Sequence, residues 1–467
     1  MGPRRTGVPV RVPCTGGFRF RLPPVPLWIA VLSQAAVLVP ATVSAQGGEW
    51  PTLSGAGIEY LSESGFMQVS LSGQLDFEAV RGDDSWAGLV DHSASEAAIP
   101  DGDARCLRCH VGMGLPGEGG AVRAHRLRLF ADIFLGDQLY SLIEVRSDRG
   151  HVPSDGESHL RVEQAFVRVS SGNGSAGLQV GRFASPVGSY PQRHLTTVDP
   201  FVRPPIAYDY RTVMSRTLVP VPGRILTWKD HAQFFRKPGA PPIWDVPYQW
   251  GAMLFGSVGP VDLRLAAVNS APSSAPEAWD FTWEGFDRPS AVGGVRVRAT
   301  AALDIGASYS RGPWMERPVA GAIGPPPGSA AGTPPQSYRG FDQELLSVDL
   351  NFASGPMMFR AEAIRDRWEI PNVEDRPTER IYSAELQYDL WAGVSVAGRL
   401  GYIDFRPLDD GVGGRDDWDY DVYRYEASLG YRLARNAGIL LSGYRQIQRI
   451  AEDGDTHLIG ARLWWAF

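Results

Sequence analysis

The residues with the most distinctive chemistry are Cys106-Leu107-Arg108-Cys109-His110. Two thiols at this spacing, followed directly by a histidine, form the Cys-x-x-Cys-His pattern of covalent c-type haem attachment. The chemistry demands that order. Each thiol adds to one vinyl group of the same haem, and the next residue presents an imidazole to the iron as proximal ligand. A redox-active or structural disulfide and a zinc half-site remain alternatives. Zinc needs four ligands and no second cysteine pair exists; a thioredoxin-like motif needs a βαβ setting that is absent here. The pattern predicts one covalent haem c on Cys106 and Cys109, with His110 on the iron. For the opposite axial position His92, in the same segment, is the first choice. Met113 follows His110 too closely to reach the opposite face. His125 falls on an apolar face, and His151, His159, His194 and His231 lie in or near other long connections. An open sixth position would allow ligand binding. No catalytic residue is assigned, and an enzymatic role, if there is one, would be redox.

Haem attachment of this kind follows export, and the N-terminus reads as an export signal. Residues 1–45 hold Arg4, Arg5, Arg11, Arg19 and Arg21 and no acid, then the apolar run Leu27 to Val39, then Val43-Ser44-Ala45 before Gln46. A basic region, a short apolar region and a small-residue cleavage site make a secretory signal peptide. The run is too short for a membrane anchor. The whole chain has 45 basic and 52 acidic residues; without those five arginines 40 basic residues remain, a net charge of −12. An acidic mature chain argues against nucleic acid as a partner. Cys14 leaves with the signal, so Cys106 and Cys109 are the only cysteines left, and no disulfide framework holds the fold.

What must position the motif is a series of strands. From Met67 to the C-terminus the dominant pattern has period two, which sends alternate side chains to opposite faces. In Met67–Ala79, Met67, Val69, Leu71, Leu75 and Phe77 oppose Gln68, Ser70, Ser72, Gln74, Asp76 and Glu78. Segments 346–352, 382–390 and 423–432 alternate as cleanly. A soluble β-sandwich also alternates. Here, though, many strands reach ten residues, the polar face is charged along its length, and short connections alternate with long ones. These features predict an all-β transmembrane antiparallel barrel of about sixteen strands. The strands are 66–81, 123–135, 138–147, 159–170, 176–183, 248–258, 261–271, 289–300, 303–314, 341–353, 356–370, 378–391, 394–407, 420–435, 438–450 and 455–467. Residues 46–65 would be a periplasmic N-terminal segment, 66–467 the outer-membrane barrel, and 83–122 the loop that carries the haem motif. The last strand sets Ala461, Leu463, Trp465 and Phe467 on one face, similar to the C-terminal assembly signal of outer-membrane barrels.

By alternation Arg126, Arg128, Arg296, Arg298, Arg360, Arg399, Arg424 and Arg462 face the lumen, with Asp132, Glu144, Glu362, Asp366, Glu385, Asp389 and Glu426. They either neutralise one another across neighbouring strands or form a selective filter. A barrel of this size leaves an aqueous lumen. The longest connection, 184–247, carries Arg211, Arg216, Lys229, Arg236 and Lys237 with many aromatics, and its expected role is to fold inward as a constriction. The Gly/Pro-rich stretches 272–288 and 315–338 read as mobile loops.

The stretch Val162-Glu163-Gln164-Ala165-Phe166-Val167, with Leu178-Gln179-Val180-Gly181-Arg182-Phe183 and Pro186-Val187-Gly188, resembles the phosphate-selective porin superfamily. The match covers about 30 residues, and the lysine ladder of that family is missing, so phosphate selectivity is not implied. Cys106, Cys109 and His110 also resemble the fused monohaem cytochrome–porins, the outer-membrane iron oxidases, which pair one such motif with a sixteen-strand barrel. There the haem precedes the barrel; here Met67–Ala79 precedes the motif, so the resemblance implies electron transfer and not iron oxidation as such. Together these readings predict a porin-like barrel with one haem, moving electrons at or across the outer membrane. A periplasmic cytochrome and an extracellular donor or acceptor would be its partners, and lipid its surroundings. The alternatives are a general or anion-preferring diffusion porin for small solutes, in which the cysteine pair is incidental, and a haem-based sensor or adhesion barrel.

Overall fold

A computed structural model describes residues 57–82, 121–149, 159–217, 219, 239–318, 322–326, 328–409, 414–449 and 455–467. After a short strand β1 (Ile58–Leu61), the barrel begins with β2 (Met67–Gly82), β3 (Ala121–Leu135), β4 (Leu139–Arg149), β5 (His159–Ser170) and β6 (Ala176–Ala184). It continues with β7 (Tyr248–Val258), β8 (Val261–Val268), β9 (Ser290–Thr300), β10 (Leu303–Pro313), β11 (Asp342–Ser354) and β12 (Met357–Trp368). Then come β13 (Thr378–Trp391), β14 (Val394–Phe405), a small hairpin β15 (Pro407–Asp409) and β16 (Arg415–Asp417), β17 (Val422–Ala434), β18 (Ala437–Gln448) and β19 (Asp455–Ala466).

Each barrel strand pairs antiparallel with its neighbour in sequence, β14 passing over the small hairpin to β17. The last strand returns to the first, with Leu458 opposite Gly82 and Ala466 opposite Gln74. The result is a closed antiparallel barrel of sixteen strands, β2–β14 and β17–β19. Closure removes the unpaired edges that an open sheet would expose. Phe467 completes it: its N–H donates to Gly73 O at 2.9 Å, and Gly73 N–H donates to Phe467 O at 2.7 Å. The Phe467 ring occupies the space a Cβ on Gly73 would need. That explains the one gap in the outward apolar series of β2.

The predicted strands match these to within a few residues at each end. Several of the short turns carry glycine at positive φ, with Gly174 at φ +68° and Gly259 at φ +57°, backbone that glycine adopts at little cost. Three short strands escaped the sequence reading. β1 pairs with residues 68–71 of β2, and β15 and β16 pair with each other; segments of three or four residues are too short for a period to register. The outer face is apolar: Leu71, Leu129, Val348, Leu386, Leu400, Leu429 and Leu441 are all exposed. The polar face points inward, where Gln74, Asp76, Glu144, Asp366, Glu379 and Arg424 are buried.

Two expectations need correction. The barrel interior at the described level of the 184–247 connection is not simply aqueous. Val187, Tyr190, Ile206, Tyr208, Tyr210, Met214, Ile243 and Trp244 from that connection form one apolar cluster with Phe183, Tyr248, Leu345, Ile364, Ile381 and Ile403 of the wall. Each such fully buried side chain contributes about 1.5–3 kcal/mol. The stretch 272–288 is also packed rather than free. Ser273, Ala275 and Trp279 are buried, and Trp244 N–H donates to Pro272 O at 2.9 Å. The Asn269 side-chain amide donates to the carbonyls of Ala278, Trp279 and Asp280, which ends β8 at Val268, short of the predicted 271.

Candidate functional site

The connection between β6 and β7 is anchored on one side of the barrel and bonded to the other. Gly188 N–H donates to Ser308 Oγ of β10 at 2.9 Å, and Ser189 N–H to Glu362 Oε1 of β12 at 2.8 Å. The Tyr208 hydroxyl donates to the same carboxylate at 2.9 Å. Gln343 of β11 donates to Pro242 O at 2.7 Å. Arg399 of β14 donates to Arg203 O at 2.5 Å, Arg462 of β19 to Val202 O at 3.0 Å, and Gln448 of β18 to the Tyr210 hydroxyl at 2.9 Å. Thr196 Oγ1 donates to Asp76 of β2 at 2.5 Å. These contacts run from β10 round the wall to β2, so the segment crosses the lumen. The described parts of this connection, residues 184–217, 219 and 239–247, lie against these strands inside the barrel.

Ion pairs fix the crossing. Asp209 accepts from Arg424 of β17 at 2.6 Å and from its own neighbour Arg203. Arg193 reaches Glu385 of β13 at 3.3 Å, a carboxylate also met by Arg360 at 2.5 Å and Arg399 at 3.6 Å. Arg399 also holds Glu426 through two parallel bonds of 2.8 and 2.7 Å, the bidentate geometry that gives guanidinium–carboxylate pairs their strength. Arg462 pairs with Glu78 at 2.6 Å and Arg296 with Asp349 at 2.9 Å. Of the two roles weighed for the lumen charges, mutual neutralisation describes most of them. Arg298 lies on the short-turn rim with its side chain 51% exposed, and Asp389 is exposed at the same end.

Glu163 is a lumen charge that strict alternation misses. The β4–β5 register shifts after Glu144, so that Glu144 faces Gln164 and Val145 faces Val162. A bulge of this kind sends two consecutive residues to one side. Glu163 is thereby buried, at 3.6 Å from Arg146 and 3.4 Å from Arg161.

Beside the crossing segment lies a cavity of about 50 Å³, the size of one or two waters or a small ion. Its wall includes Arg126, Arg128, Arg203, Arg211 and Arg462 against Glu78, Asp209 and Asp245. Arg211 also stacks on Trp244, its guanidinium carbon 3.5 Å from the ring centre. Burial holds the His194 imidazole well below its usual range, with the guanidiniums of Arg128, Arg126 and Arg146 adding to it. His194 is therefore neutral. Nδ1 lies 2.7 Å from Pro191 O and Nε2 3.0 Å from the Tyr248 hydroxyl, so Nδ1–H donates and Nε2 accepts. Both nitrogens are engaged, which removes His194 from the set of axial ligands. Asp199, on the same segment, is pushed up to about 6 by burial, which outweighs Arg399, Arg193 and Arg462.

His125 faces outward on β3, on the same side as Leu127 and Leu129, as alternation predicted. Cys106, Cys109, His110, His92, Met113, His151 and His231 lie outside the described residues, as does the expected signal peptide.

No protein-family model and no curated protein matches the chain. Solved structures do. The anion-selective porin from Comamonas acidovorans is 11% identical over 86% of this chain and 100% of its own, with a TM-score of 0.51. The outer membrane channel DcaP of Acinetobacter baumannii is 12% identical over 87% and 99%, with a TM-score of 0.49. Outer-membrane expressed OmpT of Vibrio cholerae is 12% identical over 87% and 100%, also with a TM-score of 0.49. At this identity the likeness concerns architecture: the chain has the closed sixteen-strand antiparallel barrel fold of outer-membrane porins.

Proposed function

We propose that this chain is an outer-membrane porin that passes small solutes, anions by preference, through a lumen narrowed by residues 184–217 and 239–247 of the β6–β7 connection. In a bilayer an all-β chain must close its sheet and turn an apolar face to lipid, and both features are present. The observation that carries the solute reading is the cavity beside the crossing segment, lined by five arginines and three carboxylates. An excess of fixed positive charge in a narrow, low-dielectric passage favours anions over cations. The solved relative with the highest similarity score quoted above is itself described as anion-selective. The test is the reversal potential of the purified protein in a planar bilayer under a tenfold KCl gradient. A shift toward the chloride potential is expected. A silent bilayer, or a shift toward potassium, refutes the reading.

A second reading rests on Cys106, Cys109 and His110. Thiol, thiol and imidazole in this order are the donor set that c-type haem takes, and when bound the group would supply one-electron transfer. Cys106 and Cys109 would tether it and His110 would hold its iron, with His92 as candidate for the opposite side and a periplasmic cytochrome as electron partner. Residues 1–45 would direct export and 83–122 would form the haem-bearing loop. A haem-stained gel of membrane-extracted protein decides it: a band that survives denaturation in the wild type and vanishes in Cys106→Ala/Cys109→Ala supports it, and an unstained wild type ends it.

A further inference from the structure

Arginines on the two faces of this barrel are treated differently. Inward, Arg360, Arg399, Arg424 and Arg462 each meet a carboxylate. Outward, Arg365 on β12 and Arg380 on β13 stand directly opposite one another in the strand register. Arg365 is exposed and Arg380 half-exposed. Neither has a hydrogen-bond or ion-pair partner among the described residues. Arg380 also faces Asp404 across β14, but Asp404 is 3.9 Å from Arg406 instead. One step further out, Arg367 pairs with Glu344 at 3.6 Å. Two like charges side by side on a sheet repel each other, so the pair is favourable only with an anion between them.

Position indicates which anion. Both arginines lie toward the end of the barrel that carries the long connections, since β12 begins at the tight turn near Gly355 and β13 ends at the one near Gly393. The next outward row is Ala363, Tyr382, Tyr402 and Tyr423 in register. Tyr382 and Tyr402 stack with ring centres 6.4 Å apart, and Tyr402 and Tyr423 at 4.4 Å. Below them Leu386, Leu400 and Leu429 are exposed on the outer face. A tyrosine row between apolar and charged rows marks the level of lipid headgroups. We infer that Arg365 and Arg380 form a site for the phosphate of an anionic outer-leaflet lipid, the two guanidiniums bridging its oxygens and Tyr382 packing beneath. Guanidinium matches phosphate through paired, charge-assisted hydrogen bonds, and a lipid phosphate reaches this height with its chains lying along the leucines. The inference rests on the outer-membrane reading above.

The experiment compares wild type with Arg365→Gln/Arg380→Gln, both in detergent, by native mass spectrometry with diphosphoryl lipid A as probe. Its dephosphorylated form and inorganic phosphate serve as controls. Wild type is expected to retain the phosphorylated lipid at least ~tenfold more strongly than the double variant, to show no such preference for the dephosphorylated form, and to keep the lipid in millimolar phosphate. Equal retention by wild type and variant, equal retention of both lipid forms, or displacement by free phosphate overturns the site. Bilayer conductance of both proteins separates the two levels of failure. If neither forms a pore, the membrane reading fails; if both do and lipid retention is unchanged, only this inference fails.

Discussion

Asp209 is the residue whose removal most directly tests the crossing segment. It is buried, belongs to that segment, and accepts from Arg424 of β17 at 2.6 Å as well as from Arg203. Arg424 is fully buried and keeps the Gln446 side-chain oxygen, at 3.0 and 2.7 Å, and the Tyr444 ring, 4.7 Å away, when Asp209 is lost. An uncompensated charge left by removing one partner of a buried pair costs about 3–5 kcal/mol. At about 1.4 kcal/mol per decade, that raises the undocked fraction of this part of the segment by roughly two to four orders of magnitude. Asp209→Ala should therefore show frequent transitions to a larger conductance in single-channel records, where wild type is steady. Asp209→Ala/Arg424→Met, which also removes the Arg424 charge, should recover part of the steadiness, since Arg203 has still lost Asp209. Arg298→Gln, at a pair 4.0 Å apart with half its side chain exposed, should change little. Records for Asp209→Ala that match wild type in conductance and noise, with unchanged thermal stability, would refute the claim that ion pairs dock this segment.

Asp199 gives a pH dependence. Its carboxyl is raised to about 6 in the folded chain by burial, so the folded state holds its proton more tightly than the unfolded state, and docking weakens as pH rises from about 4 through about 6. Gating noise should increase over that window by an amount that reflects up to roughly 3 kcal/mol, and Asp199→Asn should flatten the dependence; a flat wild-type profile argues against it. Tyr208→Phe leaves Glu362 and the Ser189 N–H with one partner fewer and should cost about 1–3 kcal/mol in thermal unfolding, whereas Tyr425→Phe on the exposed outer face should cost almost none. Gly188→Ala, at φ +76° and against the Tyr208 hydroxyl, should destabilise more than the ordinary glycine-to-alanine change; a stability equal to wild type would show that the segment adjusts freely there.

Much of the barrel was legible in the chain because one physical rule governs nearly all of it. A strand between lipid and lumen must alternate, so Tyr382, Ala384, Leu386 and Tyr388 separate from Ser383, Glu385 and Gln387 without knowledge of any partner. Turn glycines and connection lengths then place the strands in order, and Phe467 closes the ring on Gly73. The Cys-x-x-Cys-His spacing at Cys106–His110 is visible in the sequence, and the haem-stained gel is what tests whether it carries covalent chemistry. Which lumen charges meet which is different. Arg399 is shared by Glu426 and Glu385, while Asp209, remote in sequence, neutralises Arg424. Alternation assigns a side and says nothing of height or of what arrives from across the lumen. Glu163 turns inward only because a bulge breaks the period. The path of the described residues of the 184–247 connection rests on contacts such as Ser189 to Glu362 and Tyr210 to Gln448. Those contacts join positions far apart in sequence, and only the closed barrel brings them within hydrogen-bond reach.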